Sequence, residues 1–143
     1  MSYAKIRQAL ATSAVGVLTA SPVSMASGNI ISGNMPSPEK NEPWAQILFT
    51  ARSPSVATMG SGGLDMVEGV LFVNVRHPLD TGEGAGLVVV DAFRDALPAG
   101  SRLTFEGQEV TVLSIGAREG RVVDAFWRTD LTLPYRAFIP RGT

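Results

Sequence analysis

Apolar and polar residues alternate in two runs near the middle of the chain. In PWAQILFTAR, Pro43 to Arg52, Ala45, Ile47, Phe49 and Ala51 share one face. In VLFVNVRH, Val70 to His77, Leu71, Val73 and Val75 share one face, Val70 and Phe72 begin the other, and Asn74 and Arg76 continue it as polar. A period of two predicts a pair of β-strands. The segment between them, Ser53 to Gly69, is rich in Gly and Ser and runs to about seventeen residues. A tight hairpin needs only about two to five, so the pattern predicts a projecting hairpin with a long tip. Pro78-Leu79-Asp80-Thr81-Gly82 then ends the second strand.

A helical period takes over from about Glu83 to Leu97. Val89, Val90, Phe93, Ala96 and Leu97 form its apolar face, and Asp91, Arg94 and Asp95 face water. Asp80, with Glu83 three residues on, matches a capping box with Asp in place of Ser or Thr. Pro98 and Gly100 stop the helix. A second hairpin follows, Leu103 to Phe105 against Glu109 to Ile115, around Glu106-Gly107. A closing strand from about Val122 to Tyr135 sets Trp127, Leu131 and Leu133 on one face. Phe126, Arg128, Asp130 and Thr132 take the other.

The N-terminus admits two readings. Tyr3, Ile6 and Leu10 are spaced for an amphipathic helix from Tyr3 to about Val17, with Ser2 as its cap. Lys5 and Arg7, the run ALATSAVGVLTA and the triplet Ser24-Met25-Ala26 also outline a secretory signal peptide. Thr12, Ser13 and Gly16 dilute its apolar core. Thr19 to Glu42 reads as a long loop punctuated by Pro, Gly, Ser and Asn, with a short strand at Ile30 and Ile31. The expected fold class is α+β: a mostly antiparallel sheet of two hairpins plus a closing strand, packed against two helices. The expected organisation is a single domain over residues 1–143, with 19–42 as its long loop segment.

Composition narrows the chemistry. At 143 residues and 45% hydrophobic, the chain can bury one real core, and its 17% charged residues argue against disorder of the whole. With a net charge of −1 it has no bulk electrostatic drive onto nucleic acid. It has no cysteine, so disulfides and thiolate metal sites are excluded. No apolar run reaches the roughly 18 residues of a membrane span.

Candidate motifs dissolve on inspection. Gly82-Glu-Gly84-Ala-Gly86 opens a helix after a strand, where phosphates are often cradled. A dinucleotide fingerprint would need glycine at Leu87, and a P-loop would need a lysine that is not there. Close packing of helix on sheet explains the glycines better. His77 is the only histidine and cannot build a multi-histidine metal site. Gly60-Ser61-Gly62-Gly63 does not match a nucleophile elbow. Asp91, Asp95, Glu106, Glu109, Asp124 and Asp130 are scattered, and no spacing singles out an acid–base pair. Arg52, Arg76, Arg118, Arg121, Arg128, Arg136 and Arg141 interleave with acids. Such interleaving suits subunit contacts, and it suits a plain solvated surface equally.

Taken in order, these elements resemble the tail terminator family of long-tailed phages. The resemblance spans nearly the whole chain. It runs from SYAKIRQAL through PWAQILF and ATMGSGGLDMVEGVLFVNVRHPLDTGEG to AFRDALPAGSRL, GQEVTVLSI and FWRTDLTLPYRAF. Its most distinctive part is the pattern from Gly63 to Val73, followed by Pro78 and the Gly82–Gly84 turn. The Thr19–Glu42 segment departs from it by being longer and more apolar. The resemblance implies a structural virion protein without catalysis, cofactor or metal. It implies a homohexameric ring at the head-proximal end of the tail tube, made in the host cytoplasm. The ring would stop tube polymerisation and present a surface to head-completion or neck proteins. DNA would only pass through its lumen, and no membrane would be involved. The expected interface residues are Arg52, Met59, Leu64, Met66 and Arg76. Two rival readings are another neck or tail-completion protein, and a small secreted ligand-binding domain or enzyme if the N-terminus is a signal peptide.

Overall fold

Two strands of fifteen residues each form the spine of the protein, seen in a computed structural model that describes residues 3–33, 42–60, 62–79, 84–118, 120–123 and 126–140. In chain order the elements are α1 (Tyr3–Thr19), β1 (Ile30–Ser32), β2 (Trp44–Phe49), β3 (Ser55–Val56) and β4 (Leu64–Pro78). After these come α2 (Gly84–Ala96), β5 (Arg102–Phe105), β6 (Gln108–Val112), β7 (Gly116–Ala117), β8 (Arg121–Val123) and β9 (Phe126–Pro140). A single 3₁₀ turn, Ser27–Asn29, leads into β1.

The sheet order is β1-β2-β4-β9-β6-β5. β4 and β9 pair antiparallel along their whole length, from Leu64 opposite Pro140 to Pro78 opposite Phe126. β2 and β3 share the outer side of β4. β6, β7 and β8 succeed one another along the outer side of β9. β1 pairs with β2 in parallel, and the other pairings are antiparallel. The fold is α+β, as the two periodicities predict.

Alternation decides the two faces. Val67, Leu71, Val73 and Val75 of β4, and Leu131, Leu133, Tyr135 and Ala137 of β9, are buried on one face. Ala45 and Ile47 of β2 and Val110 and Val112 of β6 join them. Both helices cover this face: α1 packs on β5 and β6, and α2 on β4 and β9. Helix α1 contributes Ile6, Leu10, Ala14 and Leu18 to the core, and α2 contributes Val89 and Phe93. Cleavage after residue 26 would strip α1 from this core, so the signal-peptide reading conflicts with the packing.

Glycines permit two close approaches. A Cβ on Gly86, in the first turn of α2, would collide with Thr129 of β9, so glycine lets the helix sit down on the sheet. A Cβ on Gly69 would collide with the Thr50 carbonyl and approach Tyr135 Oη at 2.7 Å and Ala51 Cα at 2.8 Å. The β5–β6 hairpin closes through Glu106 and Gly107, whose φ angles of 48° and 83° are those of a two-residue type I′ turn.

Several boundaries differ from the sequence pattern. The long tip, Ser53 to Gly69, is partly strand: β3 pairs with Asp65 and Met66, and β4 already starts at Leu64. Among the described residues, 57–60 and 62–63 lie between the two strands. There Thr58 Oγ1 accepts the Leu64 amide at 2.6 Å, and the Leu64 carbonyl accepts the amides of Ala57 and Thr58. Low hydrophobicity hid this strand, because its pairing is made by backbone groups. The strand expected over Glu109–Ile115 ends at Val112 and resumes as β7. The closing strand divides into β8 and a β9 that continues to Pro140. Ala96, placed on the apolar helix face, is exposed. Asp80 and Glu83, the expected capping pair, lie outside the described residues.

Candidate assembly surfaces

No described helix covers the second face of the sheet, which bears the even-numbered residues of β4 and β9. Register turns those residues into rows running across the strands. At one end Trp44, Arg76, Arg128 and Arg121 are successive cross-strand partners on β2, β4, β9 and β8. Like charges directly opposite on neighbouring strands repel, so each guanidinium needs a counterweight. Arg76 lies 4.3 Å over the ring of Trp44, a cation–π contact, and Trp44 meets Phe126 edge-on at 6.2 Å. Arg128 Nε donates to Asp130 Oδ1 at 2.6 Å, and Arg121 approaches Asp130 Oδ2 at 3.8 Å. The next row is Gln46, Asn74 and Asp130, with the Arg118 amide donating to the Asp130 carbonyl. Leu48, Phe72 and Thr132 follow. A shallow cavity of about 200 Å³ opens here, walled by Arg118, Arg121, Arg128 and Asp130 over Leu48 and Phe72.

The other end of this face is more apolar. The Arg52 amide bonds the Glu68 carbonyl, and Glu68 is ion-paired with Arg136 at 3.1 Å. Beyond them Met66 opposes Phe138, and Leu64 opposes Pro140. A cavity of about 390 Å³ lies here between Leu64, Arg136 and Phe138 on one side and Arg102 and Glu109 on the other. Phe138 is 43% exposed; Val56 at the end of β3 and Met59 beyond it are 62% and 88% exposed.

The structure therefore divides the five expected interface residues. Arg52, Leu64 and Met66 share the far end of the open face, and Met59 caps the turn beyond them. Arg76 lies twelve positions along β4 from Leu64, roughly 40 Å at the usual rise per residue. The expected interface residues leave out Arg128 and Arg121, which stood out only within the wider arginine set, and Phe138. Arg128 and Arg121 complete the basic row, and Phe138 completes the apolar end. Their periodicity was visible, but the row depends on the register between β4, β9 and β8, which only tertiary pairing sets. Helix α2 also carries Leu87 and Val88 outward, 56% and 41% exposed.

Two buried titratable groups serve the fold. The Tyr135 hydroxyl donates to the Thr50 carbonyl at 2.7 Å, and its ring stacks on Phe49. Burial pushes its pKa up to about 12, with a smaller contribution from Tyr3. His77 is 7% exposed opposite Trp127, and its Nδ1 has no hydrogen-bond partner among the described residues. Burial lowers its pKa below the usual 6.5. The folded chain therefore resists a proton that the unfolded chain accepts. The stability due to neutral His77 is present above about pH 6.5 and falls as the pH drops below it. His77→Ala is expected to flatten the loss of melting temperature between about pH 7 and 5, and to leave self-association unchanged. Loss of assembly by a folded His77→Ala protein would contradict a purely structural role.

Among the described residues no group of three or more His, Cys, Asp or Glu side chains could hold a metal ion. No described helix is long and apolar enough to cross a membrane. No known family profile matches the chain, and no curated protein matches it. Solved structures do share its fold. One, whose name carries no functional description, superposes with a TM-score of 0.74 at 18% identity over 96% of both chains. Another is a chain in the virion of a native gene transfer agent particle. It has a TM-score of 0.55 and 18% identity over 97% of this chain and 99% of that one.

Proposed function

We propose that this chain is a structural virion subunit, six copies of which form a ring that caps the head-proximal end of a tail tube. The observation that carries the reading is the end-to-end fold likeness to a chain of the gene transfer agent virion. The order of sequence elements, which resembles tail terminators, points the same way. A ring subunit needs surfaces rather than chemistry, and no described helix covers the second face of this sheet. One side of the ring meets the tube protein, the other meets a head-completion or neck protein, and DNA passes through the lumen. Burial of α1 in the core weighs against the secreted alternative.

The segment around Thr58 and Met59 and the adjoining apolar end of the open face, with Leu64, Met66 and Phe138, are assigned to the tube. Arg52 borders this patch, and Arg76 belongs to contacts at the opposite end. Adding the purified protein to polymerising tube subunits of the same particle is expected to shorten the tubes. Electron microscopy should find one capped end per tube. Tubes of unchanged length, with binding to heads alone, would favour the neck-protein reading. Met59→Asp is expected to change stability by less than about 0.5 kcal/mol, as at other exposed sites, and to weaken capping. Capping at the wild-type level would remove the turn from the tube contact.

A further inference from the structure

Helix α2 and the basic row lie on opposite sides of one sheet. α2 packs on the helix-covered face through Gly86, Val89 and Phe93, while Arg121 and Arg128 belong to the open face. The outward side of α2 combines exposed Leu87 and Val88 with exposed Asp91 and Asp95 at helical spacing. Arg94, exposed on the same helix, also lines a cavity with Pro98, Ala99, Ser114 and Ile115. The open face presents the complement. Arg118, Arg121 and Arg128 line a cavity with one described carboxylate, Asp130, and with the apolar Leu48 and Phe72. Arg128 holds that carboxylate at 2.6 Å, and Arg121, with a side chain 60% exposed, reaches it only at 3.8 Å. Among the described groups at this cavity, cations outnumber the acid, and Leu48 and Phe72 line it beside Asn74 and Thr132.

No chain can bring its own α2 onto its own open face, because the sheet stands between them. We infer that the outward side of α2, with Leu87, Val88, Asp91 and Asp95, docks onto the Arg118–Arg121–Arg128 end of the open face of a second copy of this chain. Such a contact joins two unlike surfaces. Repeated from copy to copy it is head-to-tail, the kind that closes into a ring when the rotation permits. Leu87 and Val88 would cover Leu48 and Phe72, and the aspartates would add carboxylates where three arginines line the cavity with one described carboxylate, Asp130. The inference rests on the ring reading and names the surface that makes the ring.

A charge-reversal exchange tests it. One variant carries D91R and D95R, the other R118E and R121E; all four positions are exposed, and melting curves establish that both variants fold. Each alone is expected to lose ring mass by light scattering, with association weaker by about a hundredfold, as like charges meet at the contact. Mixed one to one, they should recover ring mass, and native mass spectrometry should find equal numbers of the two. Alternation restores opposite charges at every junction. If either variant fails to fold, the neutral pair D91N/D95N and R118Q/R121Q replaces it, with weakened rings expected. Rings that persist in both charge-reversed variants, or a mixture that stays apart, would overturn this contact while leaving the ring reading intact. A wild-type protein that is monomeric up to its solubility limit would overturn both. Micromolar, salt-sensitive binding to duplex DNA that R118E/R121E abolishes without changing ring mass would assign the arginines to nucleic acid instead.

Discussion

Phe93→Ala is expected to destabilise the folded chain by about 3–5 kcal/mol, the usual cost of emptying a buried Phe site. Phe93 is fully buried at the centre of the inward face of α2, between Val89 and Leu97. The deleted ring leaves a cavity that neither side can fill. Above, a helix is held close by Gly86 on Thr129, and below lies the continuous β4–β9 ladder. Close-packed interiors relax only partly around such a void. Thermal or urea unfolding reads the loss, which should lower the melting temperature by roughly 10 °C or more for a chain of this size. An unchanged midpoint would mean that α2 is not part of the core.

Gly69→Ala is expected to cost about 2–4 kcal/mol, because a single methyl group has no room. Its new carbon would strike the Thr50 carbonyl and press on Ala51 Cα, both backbone atoms that cannot rotate away. The Thr50 carbonyl accepts the Tyr135 hydroxyl, and the Thr50 amide and hydroxyl both bond the Val70 carbonyl. Moving Thr50 therefore disturbs several bonds together, each worth about 1 kcal/mol net. Gly16→Ala provides the contrast. Gly16 lies inside α1, is exposed, and has open space where a Cβ would go. There alanine should stabilise by about 0.5–1 kcal/mol through its helix preference. Equal effects at the two positions would contradict the close approach at Gly69.

The pair of strands, both helices, the β5–β6 turn and the short strand at Ile30 were legible because each obeys a local rule. Leu71, Val73 and Val75 alternate, Val89, Phe93 and Leu97 recur at helical spacing, and Glu106-Gly107 has the chemistry of a two-residue turn. The strand halves at Leu64–Gly69 and Arg136–Pro140 were not. They stabilise each other through backbone pairing, and their side chains mix Asp, Glu, Gly and Arg with apolar residues. The candidate surface was half legible. The arginines stood out as a set, but nothing local aligns Arg76, Arg128 and Arg121 across three strands. That alignment follows from registers in which Arg76 meets Arg128 and Arg128 meets Arg121. The role of Trp44 beneath Arg76 depends on a further register, that of β2 on β4.

The mass of the full-length protein in solution tests the ring most directly. Light scattering across a concentration series should give a species of six times the 15.1 kDa chain, resistant to dilution and loosened by salt if the arginine contacts contribute. A single species at 15.1 kDa at every concentration, up to the solubility limit and at low salt, would contradict the account.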